Sequence, residues 1–109
     1  MLFRSEEKRA NFWKAALDSA TFRRAGLRRA SFHAACLVEA DLREADLREA
    51  NLISADLTNA DLRGADLREA ALNSANLTQA NLAGADLRGA RLMHASLVNT
   101  DFQIGRAHV

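Results

Sequence analysis

Residues 40–70 read ADLRE ADLRE ANLIS ADLTN ADLRG ADLRE A, one five-residue unit repeated without a break. The register holds outward in both directions. Every fifth residue from Ala10 to Ala95 is alanine, eighteen in succession, and Thr100 and Gly105 take the next two places. Two residues after each of these alanines, and again after Thr100, stands Leu or Phe. These nineteen positions run from Phe12 to Phe102 with no other residue type. The place between is usually small or polar, as in Asn11, Asp41, Asn51, Asp61 and Asp101. No insertion interrupts the units, so one continuous solenoid is expected over residues 10–104, with a cap segment at 1–9 and a tail at 105–109.

The period selects the architecture. A step of five on an α-helix turns by about 140° net, so the leucines would wind round the cylinder and leave no apolar stripe. A simple strand fails as well, because the apolar spacing alternates 2, 3, 2, 3, where a half-buried strand needs a constant spacing of two. An extended triplet (Ala inward, polar outward, Leu inward) followed by a two-residue corner meets both spacings. Four right-angled corners close a square coil of twenty residues, and nineteen units make about 4.75 coils. The predicted fold is all-β, a parallel β-helix of square section. Its core includes Phe12, Leu17, Phe22, Leu27, Phe32, Leu42, Leu62 and Leu82.

Composition narrows the function. Fifteen Lys and Arg against fourteen Asp and Glu leave a formal charge of +1 in 109 residues, which argues against a generic nucleic-acid or membrane binder. The single Cys36 excludes an intrachain disulfide and fits a reducing compartment; a cytoplasmic location is expected. No apolar run approaches the ~20 residues of a membrane span. Catalysis, cofactor and metal are not expected. No nucleophile–base pair or phosphate loop is present, and His33 and His94 fall about three coils apart, too far to share a metal. His33 and Cys36 straddle one corner without a third ligand, and Cys36 is expected to be an exposed thiol.

With a period of twenty, the outward residues sort onto four faces. The first carries Trp13, His33, Ile53, Asn73 and Met93 in one column, with Lys14 and Arg91 its only charges. The second carries Asp18, Glu39 and Asp56 and no cation. The third sets Arg23, Arg24, Arg43 and Arg63 against Asp41, Glu44, Asp61 and Asp101. The fourth sets Arg28, Arg29, Arg48, Arg68 and Arg88 against Asp46, Glu49, Asp66, Glu69 and Asp86. In the middle coils every Arg has an Asp two places before it, and Glu44, Glu49 and Glu69 directly follow an Arg, so these columns are expected to neutralise themselves. The basic cluster Arg23, Arg24, Arg28 and Arg29 is a candidate grip for a phosphate or acidic partner, or a solvated edge that discourages strand addition. Interface cores are poor in charge and rich in Trp and Met. The first face, through Trp13, His33, Ile53 and Met93, is therefore the candidate partner surface.

The A-[D/N]-L-x-x units, as in ADLRE, ANLIS, ADLTN and ADLRG, resemble the pentapeptide-repeat family over residues 10–104. The resemblance implies a right-handed quadrilateral β-helix and a bacterial origin. It implies a short list of functions, because some members mimic DNA and bind DNA gyrase, protecting it from quinolones or natural toxins. Longer gyrase-binding members dimerise through the C-terminal coil, so a homodimer is expected around Leu97, Phe102 and Ile104. A DNA mimic needs unpaired carboxylates in rows, and this surface supplies few. The leading expectation is a non-enzymatic scaffold that binds a protein partner. The alternative is a DNA-mimicking modulator of gyrase or another type II topoisomerase.

Overall fold

The structure, a computed structural model, describes residues 9–103. The expected tail and all of the expected cap except Arg9 lie outside these residues, as does Ile104. The middle residue of each Ala-x-Leu triplet pairs in parallel with the residue twenty places on: Asn11 with Ser31, Ser31 with Asn51, Asn51 with Ala71 and Ala71 with Arg91. The other three columns repeat this, ending at Asp66–Asp86, Asn76–Ser96 and Asn81–Asp101. Twenty residues are four five-residue units, so each unit forms one side of a coil.

Three hydrogen bonds tie each unit to its neighbours. Leu42 N–H donates to the Asp61 carbonyl at 2.8 Å and Glu44 N–H to the Arg63 carbonyl at 2.9 Å, both toward the next coil. Asp61 N–H donates back to the Ala40 carbonyl at 2.9 Å. Two N–H groups per unit thus point toward the C-terminal end and one toward the N-terminal end. The ladder therefore has a small net dipole with its carbonyl-rich, negative end at the first coil, opposite in sense to an α-helix.

The corners carry strain. Ala45 N–H closes onto the Leu42 carbonyl at 3.1 Å, and Glu44 between them has φ 58°. An i to i+3 hydrogen bond with positive φ at i+2 marks a type II turn, which favours Gly or Asn there. Among the described residues this place recurs from Lys14 to Asn99, and fifteen non-glycine residues occupy it against Gly64, Gly84 and Gly89. Left-handed backbone costs an L-residue roughly 1–2 kcal/mol. The corners persist because the N–H of that residue is itself a ladder donor, as in Lys14 to His33 and Ser54 to Asn73.

Inside, the alanine and leucine columns form a dry tube. Leu27, Phe32, Leu42 and Leu62 are fully buried and Leu82 is 2% exposed. Phe12, Leu17 and Phe22, in the first coil, are only partly buried and pack against this core. Three phenylalanines fill the N-terminal end of the tube. Phe12 stacks on Phe32 with ring centroids 4.8 Å apart, and Phe22 meets both edge-on at 5.4 and 5.7 Å. At the other end Leu92 and Phe102 are partly buried and Leu97 is 40% exposed. No helix among the described residues is long and apolar enough to cross a membrane.

Candidate functional site

The outward surface is built from the polar place between Ala and Leu. The N–H of the first corner residue takes no part in the ladder, and where an Asp or Asn stands two residues earlier its side chain caps it. Asp41 Oδ1 accepts from Arg43 N at 3.1 Å, Asn51 from Ile53 N at 3.0 Å, Asp56 from Thr58 N at 3.1 Å, and Asn11 from Trp13 N at 3.0 Å. This is an Asx turn repeated along the solenoid, and it explains the Asp/Asn preference of the repeat.

On the third and fourth faces the cap is also the anchor of an ion pair. Asp41 receives Arg43 Nε on Oδ1 at 2.8 Å and a terminal guanidinium nitrogen on Oδ2 at 2.7 Å. Asp46–Arg48, Asp61–Arg63, Asp66–Arg68 and Asp86–Arg88 repeat that fork at 2.6 Å. Weaker approaches of 3.8–3.9 Å join Arg43 to Asp61, Arg48 to Asp66 and Arg68 to Asp86 in the next coil. Hydrogen bonding to Arg43 pulls the Asp41 carboxyl down to about 2. The same cause lowers Asp46 through Arg48 and Asp61 through Arg63.

The glutamates behave differently from expectation. Glu44 and Glu49 do not pair with the arginines they follow. They reach back one coil, Glu44 to Arg24 at 2.9 Å and Glu49 to Arg29 at 2.9 Å and Arg28 at 3.4 Å. The reason is the corner. The positive-φ residue stacks on its own column, which holds Arg24 above Glu44 and Arg29 above Glu49. These contacts lower both glutamates. Glu69 makes no ion pair among the described residues. Three members of the basic cluster are therefore engaged by carboxylates, while Arg23 makes no ion pair among the described residues and lines a groove of about 260 Å³ with Arg43, Glu44 and Arg63. The cluster also sits at the carbonyl-rich end of the ladder, where cations are favoured.

The second face is acidic without cations. Asp18, Glu39 and Asp56 make no ion pair among the described residues; Asp56 accepts from Thr58 Oγ1 at 2.6 Å. Cys36 differs from the expected exposed thiol: it is half-buried and its Sγ donates to Asp18 Oδ1 at 2.6 Å. That hydrogen bond raises the Cys36 pKa, with burial adding to it, so the group stays a thiol. No group of His, Cys, Asp and Glu among the described residues is arranged to hold a metal.

The first face holds neither lattice nor carboxylate. Trp13 is 57% exposed and Met93 67%, whereas His33 and Ile53 are half-buried between their column neighbours. Lys14 Nζ lies 4.7 Å from the Trp13 ring centroid, a cation–π contact. Val98, one face on, adds a further exposed apolar side chain at 58%. The column thus has two exposed ends, Trp13 and Met93, joined by a flatter middle. Beside Trp13 opens a groove of about 640 Å³, lined by Arg9, Asn11, Trp13, Arg29, Ser31, Glu49 and Asn51. Sequence reasoning missed this groove, because its lining comes from two faces. It also missed the capping role of Asn11 and Asn51, although an Asx residue two places before a corner was a readable signal.

A family model described as pentapeptide repeats, in eight copies, matches residues 8–43, 35–73 and 70–103. Among solved structures, the pentapeptide repeat protein Rfr23 of the cyanobacterium Cyanothece 51142 superposes with a TM-score of 0.79 at 35% identity, over 86% of this chain and 62% of that one. A pentapeptide repeat protein of the Arabidopsis thaliana thylakoid lumen gives 0.77 at 38% identity, over 78% and 59%. HetL of Nostoc sp. strain PCC 7120, involved in heterocyst differentiation regulation, gives 0.68 at 32% identity, over 86% and 47%. The chain spans between about half and three-fifths of the length of these structures. Among curated proteins, none matches the sequence.

Proposed function

This chain belongs to the pentapeptide-repeat family and folds as a right-handed quadrilateral β-helix, and from that membership we propose that it is a non-enzymatic scaffold that binds a protein partner through its first face. The observation that carries this reading is the contrast between faces. On the third and fourth, each Arg of the middle coils is forked onto its own Asp. A partner meeting that lattice would have to displace those pairs. On the first face Trp13 and Met93 stand exposed, and the face itself carries no carboxylate. Large apolar side chains in a charge-poor setting desolvate at low cost, as interface anchors do.

The test is capture on the immobilised protein, with Trp13→Ala and Arg48→Ala as paired variants. A partner retained by wild type and Arg48→Ala but not by Trp13→Ala is the expected result. Equal retention by all three contradicts the reading. A second copy is part of the same proposal, docking at the C-terminal coil around the 40% exposed Leu97 and Phe102; light scattering at micromolar concentration should give twice the chain mass, and a monomer overturns it.

The second face supports one other reading. Asp18, Glu39 and Asp56 make no ion pair among the described residues, as a DNA-mimicking topoisomerase ligand requires. Titrating the protein into a gyrase supercoiling assay, with and without a quinolone, decides it. The scaffold reading expects no effect, and inhibition or protection at low micromolar protein favours the mimic.

A further inference from the structure

Where the polar place holds Asp or Asn, capping the corner takes only one of its two terminal atoms. Asp41 and Asn51 cap their corners alike, through Oδ1, at 3.1 and 3.0 Å. What differs is the second atom. In Asp41 it is an oxygen, and Arg43 occupies it at 2.7 Å. In Asn11 and Asn51 it is the Nδ2 amide, because the capping contact needs the oxygen on the side of the Trp13 and Ile53 N–H groups. The capping bonds thus assign the amide orientation, and both Asn residues are left presenting N–H donors.

Asn11, Ser31 and Asn51 occupy one column, paired coil to coil, and line the 640 Å³ groove with Arg9 and Arg29 on one side and the Trp13 ring on the other. Among the described residues its one carboxylate, Glu49, is already held by Arg28 and Arg29. The groove is therefore a strip of donors flanked by cations and closed by an aromatic ring. We propose that it binds an acidic peptide segment of the partner, carboxylates on Asn11, Ser31, Asn51 and Arg29, with an apolar side chain against Trp13. The inference rests on the scaffold reading and names the chemistry of the partner at that site. Peptide is preferred to nucleic acid because one ring and three aligned donors fit one apolar residue between carboxylates, whereas a strand needs successive stacking platforms.

Trp13 is the single tryptophan and the chain has no tyrosine, so intrinsic fluorescence reports this groove alone. The probe is an acetylated Glu-Glu-Leu-Glu-Glu peptide at low ionic strength, with its Gln-Gln-Leu-Gln-Gln counterpart, inorganic phosphate and a short single-stranded oligonucleotide as separate titrations. The expected result is a saturable change with the acidic peptide only. Asn51→Asp keeps the capping oxygen and turns the donor into an anion, so it should fold normally by circular dichroism and weaken binding about tenfold, the scale of one lost charge-assisted hydrogen bond. A flat peptide titration, equal binding by Asn51→Asp, or a response only to phosphate or oligonucleotide overturns the proposal. Loss of partner capture in Trp13→Ala beside a flat peptide titration leaves the scaffold reading standing and removes this inference alone.

Discussion

At the residue scale, the polar place of each unit does two separable jobs: its near oxygen closes a corner, and its far atom decides what the surface offers. Asn51→Ala removes the Ile53 cap and should cost about 1 kcal/mol in urea unfolding, the net worth of one hydrogen bond. Asn51→Asp should cost much less, since the capping oxygen stays. The corner residue one step beyond behaves in the opposite way. Ala34 sits at φ 58°, where a Cβ is a burden, so Ala34→Gly should raise stability by roughly 0.5–1 kcal/mol despite the extra freedom of the unfolded chain. A loss of that size instead would show that the corner is unstrained. Positive φ was not legible in the sequence. Ser, Glu, Arg and Lys fill most of these places, and the conformation is imposed by the ladder rather than by the residue.

At the scale of the coil, the core repeats every five residues and the surface every twenty, which is why one was readable and the other only partly. The Ala and Leu columns needed nothing but the period. Pairings such as Arg24–Glu44 and Arg29–Glu49 depend on which corner stacks above which, and chain adjacency pointed instead to Arg43–Glu44. The groove beside Trp13 joins two faces, so no single column announced it. The ion pairs also give the coils a pH dependence. Asp41 is pulled down to about 2 by Arg43, and Arg partners lower Glu44, Asp46, Glu49 and Asp61 as well. A depressed carboxyl stabilises the fold fully above its unfolded value, about 4, and that contribution fades as pH falls through the folded value. Thermal midpoints should therefore be flat from pH 7 to 5 and fall steadily between about pH 4 and 2. A midpoint that rises on acidification would contradict the assigned pairs.

At the scale of the molecule, the solenoid is polar twice over. Its ladder leaves the carbonyl-rich end at the first coil, and the cations Arg9, Lys14, Arg23, Arg24, Arg28 and Arg29 gather there. Around the tube, two faces are closed by ion pairs, one is acidic, and one is apolar with free donors. A solenoid with a single open face of that kind is suited to holding a partner in a fixed direction. Among the described residues, side chains readily oxidised by hydroxyl radicals lie where this distinction can be read: Trp13, His33, Met93 and His94 on the first face, Cys36 on the second. Radical footprinting of the captured complex against the free protein is the most direct measurement. Protection of Trp13 and Met93 with Cys36 unchanged is the expected result. Protection at Cys36 while Trp13 reacts at its free rate would place the partner on the acidic face and contradict binding through the first face.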